Sequence, residues 1–540
     1  MQSNSSTKKS CSLSTLLSGF IPISAEWDIP VYGIAQNSHA VQAGDVFFAC
    51  RGHETDGRRY IDEAISKGAI AIVANTHPNE GLTKGCRYYP VDNNAKNNSA
   101  QTSVNNQTDI ANQNNFDTNA KKIPLIAIDD LQGKLGILAS RFYNHPSQKM
   151  SVIGITGTNG KTSTSQFIAG SLQSLGKPCG VIGTLGYGLF NQLSPGNLTT
   201  PDAVALQTWF DTFLHQQAQA VAMEVSSHAL ALKRVSGIQF SIAVFTNLTR
   251  DHLDFHGDMQ QYGDAKRKLF EMPGMKQAVI NADDEFGKKL LLNLHRRISV
   301  VAYSIDNDVE KRVGLPADIP LVYATDIECH PNGINAMIHS PSGHGKLQSP
   351  LMGRFNLSNL LAALSVLSMM GVEFNQALTV LNQQQGVSGR LQVIKCSNGV
   401  IAVIDYAHTP DALQHALLAL REHCRAHLWC VFGCGGDRDR GKRPLMAKIA
   451  ERYSDEVVIT SDNPRHEDPM AIISEIIEGL SSPDKAKVEV DRRLAIEYAL
   501  RSAKAGDVVL IAGKGHETYQ QIGDERLPFN DVEIVKNFDA

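Results

Sequence analysis

The stretch that most constrains the fold is SVIGITGTNGKTSTSQF, residues 151–167. The apolar run VIGIT precedes the glycine-containing segment GTNGK, and a stretch with helical spacing then continues to Gly176. This order predicts a buried strand, a loop and an amphipathic helix. In such loops, backbone N–H groups and the helix N-terminus bind phosphate oxygens. The stretch therefore predicts a phosphate-binding α/β unit.

Two side chains in this loop favour nucleotide chemistry. Lys161 supplies a positive charge for phosphate, and the hydroxyl of Thr162 is suited to bind magnesium. The match to G-x-x-x-x-G-K-[ST] is incomplete, because Ile155 stands five residues before Gly160. A tight strand-to-helix turn without a ligand is therefore an alternative. The loop alone leaves a kinase, a motor and an ATP-driven ligase open.

The size and charge of the chain exclude several other classes. With 540 residues it is too long for one core, and at ~150 residues each it should form roughly three or four domains. The formal net charge of -4 gives no basic excess for nucleic acid. No apolar run approaches the ~20 residues of a membrane helix. The nine cysteines are scattered and no export signal is evident, so we expect reduced thiols and a cytoplasmic location.

The pattern of apolar runs predicts an α/β fold in three domains. Residues 1–147 form a small α/β domain, residues 148–386 a central nucleotide domain with a mostly parallel sheet, and residues 387–540 a third domain after the hinge SGRLQVI. Residues 92–122, rich in Asn, Gln, Ser and Thr, are predicted to be a disordered insertion, because they bury too little apolar surface. An Asn-rich interaction tract is the alternative.

One cluster of potential metal ligands lies in the third domain. It consists of Cys424, His427, Cys430 and Cys434. Zinc is one interpretation, but zinc sites generally use paired C-x-x-C arms across a turn. The segment HLWCVFGCGG instead predicts a buried strand and a glycine loop, which favours buried thiols.

Polar side chains follow several of the predicted strands. Glu224 lies in EVSSHAL and His252 in TNLTRDHLDFHG, where they would hold magnesium or merely cap turns. The four strands of the third domain end in DYAHTPDAL, GCGGDRDRGKRP, SDNPRHEDP and AGKGHETY. Ligands of open parallel sheets bind beyond such carboxyl ends. Two nucleotide-type units and a small third unit favour a ligase with three substrates over a kinase or motor.

These motifs, together with GRFNLSNLLAAL and SGRLQ, resemble the Mur ligases, which build the stem peptide of peptidoglycan. The similarity covers nearly the whole chain except residues 92–122. It implies a UDP-binding domain, a P-loop-type ATPase domain and a C-terminal Rossmann-like domain. DNPR, residues 462–465, is most similar to members that join meso-2,6-diaminopimelate to UDP-N-acetylmuramoyl-L-alanyl-D-glutamate. Relatives that add lysine differ at this motif.

The resemblance implies which residues bind ATP and magnesium. The ATP site would comprise Gly157, Thr158, Asn159, Gly160, Lys161, Thr162, Asn356, Asn359, Arg390 and Asp405. The catalytic residues would be Lys161, Glu224, His252 and Lys266, and the magnesium ligands Thr162, Glu224, His252 and Lys266. Lys266 matches a lysine that carbon dioxide carbamylates, which turns a cation into an anion able to help hold magnesium. On its own, AKRK would indicate a solvated helix face.

The resemblance also implies two substrate sites. UDP-N-acetylmuramoyl-dipeptide would contact Ser38, His53, Glu54, Thr55, Thr199, Thr200, Ser226 and Arg234. Diaminopimelate would contact Arg438, Asp462, Asn463, Pro464, Arg465, Gly513 and Glu517. Arginines suit its carboxylates, and the acidic residues suit its ammonium groups. The chain departs from the family at His39, where Arg is frequent, and at Leu232, where Gln is frequent and which is therefore left out.

The implied reaction is amide formation through an acyl phosphate. ATP would phosphorylate the D-glutamyl γ-carboxylate, and the amine of diaminopimelate would displace phosphate. Since two domains supply opposite sides of the site, closure on binding and a monomeric enzyme are expected. The alternatives are a ligase that adds L-lysine, a ligase like folylpolyglutamate synthase, and a non-catalytic nucleotide switch or motor.

Overall fold

The computed structural model describes residues 9–52, 55–76, 82, 84–89, 123–306 and 315–538. His53, Glu54 and the predicted insertion at 92–122 lie outside the described residues. In the ranges above, no helix is long and apolar enough to cross a membrane.

Strands and helices alternate along most of the chain. The strands are β1 (Cys11–Ser12), β2 (Pro30–Val31), β3 (Gly33–Ala35), β4 (Asp45–Ala49), β5 (Ala71–Asn75), β6 (Gly85–Tyr89), β7 (Ile123–Ile128), β8 (Ser151–Thr156), β9 (Cys179–Gly183), β10 (Gly186–Leu189), β11 (Gln192–Ser194), β12 (Ala220–Glu224), β13 (Ile242–Phe245), β14 (Gln277–Asn281), β15 (Ser299–Ser304), β16 (Leu321–His330), β17 (Gly333–Ser340), β18 (Gly343–Ser349), β19 (Gln392–Lys395), β20 (Ile401–Asp405), β21 (Leu428–Phe432), β22 (Glu456–Ile459), β23 (Lys487–Val488), β24 (Val508–Ala512), β25 (Tyr519–Ile522) and β26 (Glu525–Pro528). The α-helices are α1 (Leu13–Leu17), α2 (Ile61–Ser66), α3 (Leu131–Phe142), α4 (Lys161–Ser174), α5 (Ala203–His215), α6 (Ser227–Ala231), α7 (Leu253–His256), α8 (Met259–Arg267), α9 (Glu285–Leu294), α10 (Arg354–Met369), α11 (Phe374–Asn382), α12 (Pro410–His423), α13 (Lys442–Tyr453), α14 (Pro469–Ile477), α15 (Arg492–Ser502) and α16 (Asp531–Phe538).

The chain divides into two compact units. Unit 1 comprises Met1–Gly154, Ile182–Ser241 and His252–Met275, and unit 2 comprises Ile155–Val181, Ile242–Asp251 and Lys276–Ala540. These two units do not coincide with the three predicted domains. The predicted domain bounds at residues 147 and 386 stay a prediction.

Unit 1 begins with a five-stranded sheet in the order β3-β4-β5-β7-β6. The first four strands pair in parallel, and β6 is antiparallel to β7. Alternate residues of β4 enter two separate hydrophobic clusters, with Val46 and Phe48 on one face and Phe47 and Ala49 on the other. Because both faces are covered, the strands are apolar throughout, as expected for a parallel sheet.

Unit 2 contains two sheet regions. Strands β13, β14, β15 and β16 pair in parallel in that order, and β17 and β18 extend them antiparallel. The predicted third domain forms a six-stranded sheet in the order β19-β20-β24-β21-β22-β23. Only β19 is antiparallel to its neighbour in that sheet. The carboxyl ends of its parallel strands therefore meet at one edge.

The cysteine cluster lies in the core of this C-terminal sheet. Cys430 is in β21, as predicted, and Cys424, Cys430 and Cys434 are all buried in one hydrophobic cluster. Burial raises the pKa of the Cys434 thiol to about 12, so it stays a protonated thiol at neutral pH. His427 is exposed at the start of the strand. These side chains contribute packing to the sheet that carries the predicted amino-acid site.

Candidate active site

The predicted phosphate loop lies between β8 and α4, as the sequence indicates. Two backbone N–H groups of the loop are held by one residue at the end of β13: Thr158 N donates to Asn247 O (2.8 Å), and Asn159 N donates to Asn247 Oδ1 (2.9 Å). Lys161 Nζ donates to the loop carbonyls of Gly157 and Thr158 at 2.9 and 2.7 Å. The loop is thus preorganised, with a cation held against it at the first turn of a helix.

The loop is supported from behind by helix α10. Asn359 Oδ1 accepts from Thr164 Oγ1 (3.3 Å), and Asn359 Nδ2 donates to Asn356 Oδ1 (3.4 Å). Gly160 has φ of 84° and a Cβ there would lie 2.5 Å from Asn359 Oδ1. Only glycine fits this left-handed, close-packed position. The structure therefore places Asn359 beside the phosphate loop and Asn356 beside Asn359.

The other two residues predicted for the ATP site belong to the first part of the C-terminal sheet. Arg390 lies just before β19, and Asp405 is the last residue of β20. The Arg390 guanidinium is 4.8 Å from the centre of the Tyr406 ring. Asp405 accepts from the N–H groups of Leu391 (2.8 Å) and Ala407 (2.8 Å). Burial raises the pKa of Asp405 in spite of the nearby Arg390 charge. Asp405 thus fixes the backbone that presents Arg390.

In unit 1, the predicted dipeptide contacts gather around Glu224 at the end of β12. Thr200 Oγ1 donates to Glu224 O (2.9 Å) and receives Ser226 N (3.1 Å), while Arg234 Nη1 donates to Thr200 O (3.2 Å). Thr199 Oγ1 lies 3.2 Å from Thr184 Oγ1. These four predicted residues therefore form one polar group with Glu224.

Sequence reasoning missed Thr184 in this group. The backbone N–H of Thr184 donates to Glu224 Oε1 (2.8 Å), and its hydroxyl donates to Glu224 Oε2 (3.2 Å). The available signal was a hydroxyl directly after the apolar run that forms strand β9. Thr184 orients the carboxylate that is predicted to hold magnesium.

A second group in unit 1 contains His228, His252, His256, Tyr262 and Lys266. The rings of His228 and His252 are 4.8 Å apart, and His256 Nε2 lies 2.9 Å from Ser227 Oγ. Asp258 begins α8 by accepting from Gln261 N, and this helix places Lys266 on its buried face, 1% exposed. The Lys266 ammonium is 4.3 Å from the centre of the Tyr262 ring. The expectation from AKRK alone, a solvated face, is wrong for Lys266, because its helix packs inward.

The electrostatics of this second group favour an anion. Burial, together with the charges of His228, Lys266 and His252, lowers the pKa of His256 to about 4. Groups that depress a histidine pKa in this way create a positive local potential. A carboxylate, carbamate or phosphate brought here would be stabilised.

The predicted magnesium ligands of unit 1 are suited to bind magnesium only if further oxygen atoms are supplied. Among the residues that the structure describes, no set of three or more His, Cys, Asp and Glu side chains is grouped to hold a metal ion. Glu224 and a carbamate on Lys266 would offer the carboxylate-type oxygens that Mg²⁺ prefers, and His252 a nitrogen.

The predicted uridine contact at Ser38 is already engaged within the protein. Ser38 Oγ donates to Glu63 Oε2 (2.7 Å), and His39 Nδ1 lies 2.8 Å from Glu63 Oε1. Hydrogen bonds from Lys67 and Ser38 lower the pKa of Glu63 to about 2. His39, which departs from the family pattern, therefore pairs with an acid that sequence reasoning missed. Thr55 is exposed.

The predicted diaminopimelate residues lie at the carboxyl ends of β21, β22 and β24. Asn463 Nδ2 donates to Glu517 Oε2 (2.8 Å), and Arg465 Nη1 donates to Gly436 O (2.7 Å). A Cβ on Gly435 would lie 2.9 Å from Arg465 Nη1 and 3.9 Å from Arg438 Cγ. Both arginines thus flank Gly435. Pro464 connects Asn463 with Arg465, whose φ is 51°.

Asp462 and Gly513 lie in close contact at this edge of the sheet. Gly513 has φ of 115°, and a Cβ there would lie 2.3 Å from Asp462 Oδ2. Asp462 is buried, and burial raises its pKa. Sequence reasoning missed Arg443, whose buried guanidinium holds Glu467 and Glu475. The charged run GDRDRGKRP was the available signal, but it does not tell a buried arginine from its exposed neighbours.

The loop, the strand-end polar groups and the α/β sheets are those expected of a nucleotide-binding enzyme with a separate site for an amino acid. Three family patterns match: the Mur ligase family, catalytic domain, at residues 30–143; the Mur ligase middle domain at 155–367; and the Mur ligase, glutamate ligase domain, at 389–515. The chain belongs to the Mur ligase family and has its three-domain α/β architecture.

Individual relatives align with nearly the whole chain. The chain is 46% identical over 509 residues to the UDP-N-acetylmuramoyl-L-alanyl-D-glutamate--2,6-diaminopimelate ligase of Coxiella burnetii, covering 94% of this chain and 96% of that protein. It is 43% identical over 509 residues to the ligase of the same name from Pseudomonas aeruginosa, covering 94% and 95%.

Solved structures agree in fold. A structure of a UDP-N-acetylmuramoyl-L-alanyl-D-glutamate--2,6-diaminopimelate ligase covers 98% of this chain and 99% of its own, with a TM-score of 0.69 and 33% identity. A folylpolyglutamate synthase of Mycobacterium tuberculosis covers 69% of this chain and 91% of its own, with a TM-score of 0.54. At 19% identity, the latter shows a shared fold alone.

Proposed function

We propose that the protein is an ATP-dependent ligase that joins meso-2,6-diaminopimelate to the D-glutamyl γ-carboxylate of UDP-N-acetylmuramoyl-L-alanyl-D-glutamate. ADP and phosphate are released, and the product is a precursor of peptidoglycan. The observation that carries this proposal is the 46% identity, over 94% of the chain, to a ligase named for these substrates. DNPR and the residues around it supply the chemistry expected for the amino acid.

In the proposed reaction, ATP is bound by Lys161 and by the backbone N–H groups at the start of α4, which directly follows the phosphate loop. Lys161 lies 2.9 Å from the Gly157 carbonyl oxygen and would exchange this contact for a phosphate oxygen. Bound Mg²⁺ would neutralise phosphate charge, held by Thr162, Glu224, His252 and the carbamate that we propose on Lys266. Thr184 keeps the Glu224 carboxylate oriented for this role.

The γ-carboxylate of the substrate attacks the γ-phosphorus of ATP, forming an acyl phosphate and ADP. Thr199, Thr200, Ser226 and Arg234 would position the dipeptide, whose carboxylates suit the arginine. The neutral amine of diaminopimelate then attacks the acyl carbon, and phosphate leaves with the acyl C–O bond broken. Positioning and charge stabilisation account for the catalysis expected of these residues.

Positively and negatively charged side chains would both bind the amino acid. Arg438 and Arg465 suit its carboxylates, and Glu517 with Asp462 suits an ammonium group. Lysine lacks the distal carboxylate, so binding lysine would leave an arginine unpaired. We therefore favour diaminopimelate over lysine as substrate. We further propose a monomer that works in the cytoplasm, where ATP and UDP-linked precursors are available.

Mass spectrometry of the product tests this function. The purified protein would be supplied with the UDP-dipeptide, ATP and equal amounts of meso-diaminopimelate and L-lysine. We expect the diaminopimelate adduct and one ADP per adduct. A predominant lysine adduct would contradict the assigned specificity. ATP hydrolysis without any acceptor, and without an adduct, would instead favour a nucleotide switch.

A further inference from the structure

Lys514 carries a buried ammonium group beside the predicted amino-acid site. It follows Gly513 beyond the end of β24, and its side chain is 0% exposed. Lys514 Nζ donates to Asn463 Oδ1 (3.0 Å) and to Glu517 Oε2 (3.1 Å). Tyr519 and Phe529 present ring faces at 5.6 and 5.9 Å. A buried cation is tolerated only with such partners.

This ammonium helps to determine which way the Asn463 amide faces. An ammonium only donates hydrogen bonds, so the amide oxygen must point towards Lys514. The same oxygen accepts from the Gln521 backbone N–H at 2.9 Å. The amide nitrogen then points towards Glu517, to which it donates at 2.8 Å. Lys514 therefore fixes a residue of DNPR without needing to touch a ligand.

The same contacts leave one oxygen of Glu517 for a ligand. Oε2 accepts from both Lys514 and Asn463. Within the described part of the chain, no hydrogen bond reaches Oε1, and the side chain is 18% exposed. A carboxylate held at one oxygen and open at the other is suited to accept a hydrogen bond from an ammonium group.

We propose that Lys514 is a positioning residue of the amino-acid site. It orders Asn463 and Glu517 in advance, so that Glu517 Oε1 receives an ammonium group of the incoming amino acid. This inference rests on the proposed function, since it deepens the assignment of the same site. Preordering reduces the entropy lost when the amino acid binds.

The test is steady-state kinetics of the full-length enzyme with K514M. Methionine keeps an unbranched side chain of similar length but removes the charge and both donors. We expect the KM for diaminopimelate to rise about tenfold to hundredfold, as for loss of hydrogen bonds to charged groups. kcat and the KM for ATP should stay within about threefold of wild type, because Lys514 acts only through this subsite. The matched control is K504M, an exposed lysine before the same strand, which should change none of these values.

A second pair of variants separates positioning from folding. If K514M is unstable, K514M/E517Q removes both charges and is compared with E517Q. We expect the two to differ by threefold or less in the KM for the amino acid, because Lys514 acts through Glu517. A further tenfold rise, or an unchanged KM in folded K514M, would overturn the proposal.

The wild-type enzyme tests the proposed function independently. Each ratio of KM values, variant to wild type, is measured with the amino acid that the wild-type enzyme joins. Joining lysine in place of diaminopimelate would refute the assigned substrate, and the K514M ratio with lysine would still decide the role of Lys514. Wild-type enzyme that joins neither would overturn both.

Discussion

Lys161 is predicted to bind phosphate and Lys266 to help hold magnesium as a carbamate, and their surroundings are opposite. Lys161 is only partly buried and donates to two loop carbonyls. Lys266 is 1% exposed, in a group of three histidines and Tyr262. A buried ammonium among potential cations is costly, whereas an anion at the same position would be stabilised. This contrast supports our proposal of a carbamate on Lys266 and not on Lys161.

Lys266→Ala should reduce ADP release at least a thousandfold, on the order expected for loss of a charge-stabilising group. Bicarbonate with a small carboxylic acid should restore part of the activity, because the added carboxylate replaces the carbamate oxygens. The exposed Lys268, in the same AKRK run, provides the control Lys268→Ala, which should stay near wild type. Full activity of Lys266→Ala would rule out the carbamate.

Gly513→Ala should raise the KM for diaminopimelate about tenfold, since the new Cβ would meet Asp462 Oδ2 at 2.3 Å. Gly506→Ala is the matched control, because it lies just before the same strand at φ of 91° with only Ala426 Cβ near, at 3.9 Å. Both variants have backbone strain of about 1–3 kcal/mol. Thermal unfolding should therefore respond to both, and kinetics to Gly513→Ala alone. Equal kinetic effects would contradict this account of Gly513.

Residues at the sites were predictable from sequence to different degrees. The loop residues and the strand-end residues follow from local order, since a strand, a glycine loop and a helix are consecutive. Thr184, Glu63 and Lys514 were missed because their partners are far along the chain: Thr184 bonds Glu224, and Lys514 bonds Asn463. Sequence spacing contains no information about such contacts until the strand order is known.

At the scale of elements, the C-terminal sheet explains why three separate segments reach the predicted amino-acid site. β21, β22 and β24 are parallel neighbours, and each is followed by a polar segment at the same edge. The predicted strands of this sheet are confirmed, since runs apolar throughout are typical of parallel strands covered on both faces. The order in which the strands pair was not predictable, because it places β24 between β20 and β21.

The hairpin formed by β6 and β7 permits a test of the predicted insertion. These strands are antiparallel, and Tyr89 pairs with Ile123, so the two chain ends that border residues 90–122 are adjacent. Replacing residues 90–122 with a short Asn-Gly turn should therefore preserve the sheet. We expect ligase activity within about twofold of wild type and an unchanged or raised Tm, since a shorter loop costs less entropy to close. A large loss of activity would assign the segment a direct role.

At the scale of the whole molecule, buried histidines make stability depend on pH. His423 Nδ1 lies 2.9 Å from His330 O, and its Nε2 accepts from Gly353 N at 2.8 Å. This arrangement requires a neutral ring, and burial lowers the pKa of His423 below its ordinary value of 6.5. Burial also lowers the pKa of His516 and that of His256.

The folded protein should lose stability as pH falls below about 6.5, because the unfolded chain then binds more protons. The stability should be lost between pH 6.5 and the lowered pKa values of these histidines. This pH range lies above the one in which carboxylates titrate. Thermal unfolding between pH 7.5 and 5.5 measures it. His423→Leu should lower the Tm at pH 7.5, since two buried backbone groups lose their partner, and should flatten the pH dependence. An unaltered pH slope in this variant would contradict the role of His423.

The segment between α11 and β19 limits how the parts of unit 2 can turn. Gln384 is tied to Ser171 and Val380, whereas Arg390 N donates to Val387 O, and Gly389 O accepts from Tyr406 N. Between these attachments stand only Gln385 and Gly386, both exposed, and a Cβ on Gly386 would have no neighbour nearer than 3.6 Å. The chain is therefore held on both sides of Gly386. The bonds of His423 to His330 O and to Gly353 N attach α12 to the preceding region as well, so the C-terminal sheet is joined to the rest of unit 2 at more than one place.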